Sequence, residues 1–201
     1  MSRQRGPRSD TQRNGTRILE AAARLLAEDP HVSMQRIAEE AGVVRLTVYR
    51  HYPNRDELRR AIFEAAATEA NEALAGQDLD PVDGLRGLIV AMARIALRYP
   101  LLSVGTDLQP MPGDARRPTP PPASRAMQRA LLDLVERGRE QGVFRTDLPA
   151  ELLPQAIVGT LRTTVRFARS LGTDPETIGA NVADLLLDGF TTGQSGPLRA
   201  T

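Results

Sequence analysis

Apolar side chains return every three or four positions along most of this chain, the spacing that lines one face of an α-helix. Ile18, Ala22, Leu25 and Leu26 follow it over about 11–28, and Asp29-Pro30 stops the run. Ser33 can accept a hydrogen bond from an open backbone N–H and so cap a short helix at about 34–41. A second short helix is predicted at about 45–51. Pro53-Asn54 separates it from a longer one at about 55–75, with Leu58, Ile62 and Ala66 on one side and Gly76 at its end.

The second half repeats the pattern with longer elements. Asp80-Pro81 opens a helix to about 98, carrying Leu85, Leu88, Met92, Ile95 and Ala96, and Tyr99-Pro100 interrupts it before a shorter helix at 101–109. The stretch PMPGDARRPTPPPA, Pro110 to Ala123, reads as a loop because its prolines cannot continue a helical hydrogen-bond ladder. Helices follow at about 123–141 and 150–170, and the last begins at Asp174-Pro175-Glu176. The last two have wide apolar sides, which include Leu153, Ile157, Leu161 and Val165 in one and Ile178, Val182, Leu185 and Leu186 in the other. No segment alternates with the period of two that a half-buried strand needs. The prediction is an all-α protein of about nine helices.

Composition removes several functions from consideration. The 201 residues contain no cysteine and only two histidines, His31 and His51, so thiolate and multi-histidine metal sites are excluded. No acidic loop is arranged for Mg²⁺ or Ca²⁺, and neither metal nor cofactor is expected. Carboxylates such as Asp107 and Asp114 stand without a paired acid or base, which argues against an enzyme. No run approaches the roughly 18 apolar residues of a membrane span, and no apolar signal core follows the basic start, so a cytoplasmic location is expected. Charge is uneven. Residues 1–60 hold twelve Arg against eight acids, net +4, whereas the remainder nets −3, leaving a formal +1 overall. A basic end on a mildly acidic body suggests an anionic partner met at that end.

Both histidines and two of the three tyrosines lie between His31 and Tyr52. Ile37 and Ala38 can face inward, Gly42 can take positive φ, Val43 can fill the angle, and Val48 supplies the next apolar side. Two short helices joined by a Gly-containing turn form a helix-turn-helix, whose second helix can enter a DNA major groove. Arg45, Leu46 and Thr47 open that helix. The Tyr49 and Tyr52 hydroxyls can reach phosphates, and Arg55 opens the next helix beside them, where the free N–H groups of the first turn also favour an anion.

The stretch RILEAAARLLAEDPHVSMQRIAEEAGVVRLTVYRHYPNRDELRRAI resembles the N-terminal domain of the TetR family of bacterial transcriptional regulators. The resemblance rests on Ile18, Leu19, Ala22, Ser33, Ile37, Ala38, Ala41, Gly42, Val43, Thr47, Val48, Tyr49, His51 and Leu58, with Tyr52 for an aromatic position and Arg55 for a basic one. It implies that Gln35, Arg45, Leu46 and Thr47 contact bases or their flanking backbone, and that Tyr49, Tyr52 and Arg55 hold phosphates. Two positions depart from the family pattern. Val44 stands where Ser or Thr usually caps the recognition helix, and Leu46 is larger than the usual Gly, Ala or Pro.

The resemblance further implies a homodimeric repressor on a palindromic operator, released by a small-molecule effector bound in the body. Leu88, Met92, Ile95, Met127 and Leu131 are the candidate pocket lining. Leu153, Ile157, Leu161, Val165, Ile178, Val182, Leu185 and Leu186 are the candidate dimer interface. The expected divisions are a basic tail (1–10), a DNA-binding domain (11–55), a regulatory and dimerisation domain (56–194) and a flexible tail (195–201). The alternative reading is a helical protein-interaction module whose DNA head has lost function.

Overall fold

The computed structural model describes residues 7–74, 80–103 and 122–191. Among them are eight α-helices: α1 (Pro7–Glu28), α2 (Met34–Ala41), α3 (Arg45–His51), α4 (Arg55–Leu74), α5 (Pro81–Arg98), α6 (Pro122–Glu140), α7 (Leu152–Leu171) and α8 (Pro175–Phe190). A 3-10 helix occupies Pro100–Ser103. The protein is all-α, and the described residues pair as strands only at an isolated antiparallel bridge between Phe144 and Thr191.

Local chemistry sets most helix ends. Asp80 accepts from the N–H groups of Val82 and Asp83 with Pro81 in the first turn, and Asp174 accepts from Thr177 N with Pro175 following. Proline suits that position because it lacks the N–H that would otherwise go unpaired. The same property starts α1 at Pro7, inside the stretch expected to be tail. The helix expected at 101–109 opens as the 3-10 turn at 100–103, and its remainder lies outside the described residues, as do Gly76 and most of the Pro-rich stretch.

One continuous set of buried side chains runs from Ile18 in α1 to Leu187 in α8. Ile18, Ala22 and Leu26 bury the inner face of α1 against α2 and α4, which closes a small N-terminal head. In the body, α5 lies among α4, α6, α7 and α8, and Leu85, Leu88, Ile89 and Ala93 are its buried positions. At Gly179 of α8, a Cβ would stand 2.6 Å from the Cα of Val90, so glycine permits the close crossing of α5 and α8. Gly138 in α6 gives the Phe144 ring its seat in the same way, since a Cβ there would overlap the ring.

Candidate nucleic-acid interface

The local geometry of α2 and α3 follows from four residues. Ser33 Oγ accepts from Arg36 N at 3.1 Å, which pairs one open donor at the start of α2. Gly42 ends α2 at φ 64° and ψ 39°, a left-handed conformation that a Cβ disfavours. The N–H groups of Gly42 and Val43 return to the carbonyls of Glu39 and Ala38, at 3.1 and 3.0 Å. Ile37, Ala38, Ala41 and Val48 are buried between the two helices, and Val43 packs partly into the same core.

These inward residues leave the open end of α3 to solvent. Val44 precedes it with no side-chain cap, as its apolar chemistry predicts. Val44 and Leu46 are 69% and 70% exposed. Between them, Arg45 donates through Nη2 to the Tyr49 hydroxyl at 3.2 Å, with its guanidinium 5.1 Å from the Tyr49 ring centre. Arg45 and Tyr49 sit four residues apart and therefore share one face of the helix. Among the described residues, neither Arg45 nor Arg50 has a carboxylate partner, whereas Glu39 and Glu40 on α2 are neutralised by Arg36 and Arg24. The surface is cationic with apolar points on it, which suits an anionic polymer that also offers apolar groups.

The other expected DNA contacts divide. Gln35 is exposed on α2 and donates to Glu39 at 3.0 Å, while Thr47 is half-buried. Tyr52 is half-buried. Its ring turns inward, packing on the core and lining a cleft against α1 and α4, and burial raises its hydroxyl pKa. Arg55 is likewise committed elsewhere: Nη1 donates to the carbonyls of His31 at 2.6 Å and Val32 at 3.4 Å, tying α4 to the turn before α2. The first turn of α4 is also a poorer anion site than expected. Asn54 Oδ1 accepts from Glu57 N at 2.8 Å, and Asp56 and Glu57 already place negative charge there. His51 is half-buried beside Tyr52, and His31 is exposed in the turn.

In the body, Leu88, Ile95 and Leu131 are buried in the common core, and Met92 and Met127 are half-buried against it. None of the five lines the cleft of about 390 Å³ between head and body, whose walls include Leu19, Tyr52, Ala65, Thr68, Arg98 and Tyr99.

The expected dimer residues lie mostly inward. Leu153, Ile157, Leu161, Val165, Ile178, Val182 and Leu186 are buried by their own subunit, and of the eight only Leu185 faces out. A broad apolar stripe is taken first by neighbouring helices of the same chain, because that burial carries no entropy cost of association. Leu152 and Phe167 of α7 are exposed as well, as is Leu185 of α8. Periodicity picks out Leu185 among the interface candidates, whereas nothing in the spacing singles out Phe167.

No described helix is long and apolar enough to cross a membrane. Residues 18–62 match the profile of the family described as bacterial regulatory proteins, tetR family. The chain is 25% identical over 189 residues to the HTH-type transcriptional regulator NfxB of Pseudomonas aeruginosa, covering 92% of this chain and 96% of that protein. Over 79 residues, 39% of each protein, it is 39% identical to the HTH-type transcriptional repressor LfrR of Mycolicibacterium smegmatis. Among solved structures it is similar to the TetR family transcriptional regulator PfmR from Thermus thermophilus. The TM-score is 0.59 at 28% identity, over 85% of this chain and 96% of that one.

Proposed function

We propose that the chain is a TetR-family DNA-binding regulator and acts as a homodimeric repressor of a palindromic operator. The observation that carries this reading is the outward face of α3, where Arg45 and Tyr49 stand together and, among the described residues, no carboxylate pairs with them. A seven-residue helix reads only a few base pairs. Two copies related by a two-fold axis would read half-sites about one helical turn apart, which multiplies the discrimination. Arg45, Leu46 and Thr47 are assigned to base edges and Tyr49 to the backbone beside them, with Gln35 of α2 at the margin.

Phe167 of α7 and Leu185 of α8, both largely exposed, support self-association through these helices as apolar surface that a second copy would cover. An effector in the body would release DNA if it bound the spacing of heads that does not fit the operator better than the spacing that does. Met92 on α5 and Met127 on α6 are the members of the expected lining best able to yield to a guest, because methionine is unbranched and adapts its shape.

The test is selection of bound duplex from a random pool, followed by titration of the enriched sequence. A palindrome should emerge, and Arg45→Ala should weaken its binding about 10- to 100-fold at fixed salt. Failure to enrich any duplex at low salt would overturn the reading.

A further inference from the structure

Among the described residues, Val44 and Leu46 stand largely exposed outside the packed core. The apolar needs of this part of the head are met by Val43, which packs on the core, and by Val48, which is fully buried. Val44 caps nothing, and its side chain and that of Leu46 stand 69% and 70% in water on either side of Arg45. Arg45 does not screen them, because its guanidinium lies over Tyr49. The result is two apolar points on the otherwise cationic front of a helix that contains Arg45, Arg50 and His51 and no acidic residue.

A partner for this surface must be anionic at its margins and apolar at the point of contact. The major groove of duplex DNA meets both conditions. Its floor offers hydrogen-bond donors and acceptors at every base pair, and a single apolar group, the C5-methyl of thymine. We infer that Val44 and Leu46 read thymine methyl groups, so that each operator half-site carries thymine next to the base pair facing Arg45. The inference rests on the proposed DNA-binding function and deepens it by naming a feature of the operator. It also gives the two departures from the family pattern a common role. Side chains of Ser or Gly size at these positions would present much less apolar surface to a methyl group.

The experiment uses the full chain and the duplex enriched by selection. Each half-site thymine is replaced in turn by deoxyuridine, which removes only the methyl group, and binding is followed by fluorescence anisotropy at fixed salt. Replacement at the thymine beside the Arg45-facing pair should weaken wild-type binding about fourfold per methyl lost, while the Val44→Ala, Leu46→Ala double variant should bind both duplexes equally. Both side chains are exposed, so the variant should keep the wild-type circular dichroism and melting temperature. Uracil tolerated at every half-site position, with the duplex still bound, would overturn methyl reading and leave the regulator intact. A double variant that discriminates as well as the wild type would also overturn the assignment. If no duplex binds at low salt, both this inference and the function beneath it fail.

Discussion

Arg98, at the end of α5, donates through Nε to the carboxylate of Glu20 in α1 at 2.7 Å, joining the body to the head across 78 residues of sequence. The same guanidinium donates through Nη1 to Glu69 of α4 at 3.1 Å, and Glu69 also accepts from the Tyr99 hydroxyl at 2.9 Å. One cation therefore fastens three helices, α1, α4 and α5.

These charges are partly solvated, so their separate contributions are modest. Arg98→Ala should lower stability by about 1 kcal/mol in urea unfolding at low ionic strength. The gap from wild type should narrow in about 1 M salt, where screening shortens the reach of the charges. A gap independent of salt would assign the loss to packing of the Arg98 stem instead.

Burial first, and the hydrogen bond to Glu69 second, push the Tyr99 hydroxyl well above its ordinary value. An unfolded tyrosine ionises near pH 10 while the folded one keeps its proton, so the unfolded state binds fewer protons there. Stability from this group is therefore intact below pH 10 and declines as pH rises from there toward the folded value. Urea midpoints at pH 9 and pH 11 should show a smaller fall for Tyr99→Phe than for wild type. Tyr52, also raised by burial, should keep the variant's slope from vanishing.

Two glycines should respond in opposite directions to alanine. Gly179→Ala places a methyl 2.6 Å from the backbone of Val90, which cannot rotate away, and should cost about 1–3 kcal/mol. Gly87→Ala, in the exposed middle of α5 with nothing within 4 Å, should gain about 1 kcal/mol from helix propensity. Thermal and denaturant unfolding of the pair would check both signs.

The outer face of α7 and α8 should set the oligomeric state. Phe167→Asp and Leu185→Asp replace side chains that are 66% and 68% exposed, so the fold should survive. Sedimentation velocity should show a shift from dimer to monomer, with binding of a full palindrome lost and helical content retained. Dimers that persist in both variants would place the interface elsewhere.

The helical character of the chain was legible because a 3.6-residue period and its stop signals are local. Ser33, Gly42, Asp80-Pro81 and Asp174-Pro175 act on the backbone within a few residues, and each does what its chemistry foretells. The helix-turn-helix was legible for the same reason. The orientations of Tyr52 and Arg55 were not legible, because position on a motif does not say which way a side chain turns. An aromatic ring is drawn into available apolar surface, and an arginine to unpaired carbonyls, and both lay in parts of the chain distant in sequence.

By itself, the sequence determined the helices, most of their ends and the left-handed turn at Gly42, since each depends on interactions spanning only a few residues. Only the tertiary structure decided which apolar stripes were consumed internally, how Arg98 would bridge Glu20 and Glu69, and that Val44, Leu46, Phe167 and Leu185 would be left in water. The physical reason is that burial is a competition among all faces of the chain at once. A stripe's width shows that it must be covered, and the packing of the other helices determines what covers it.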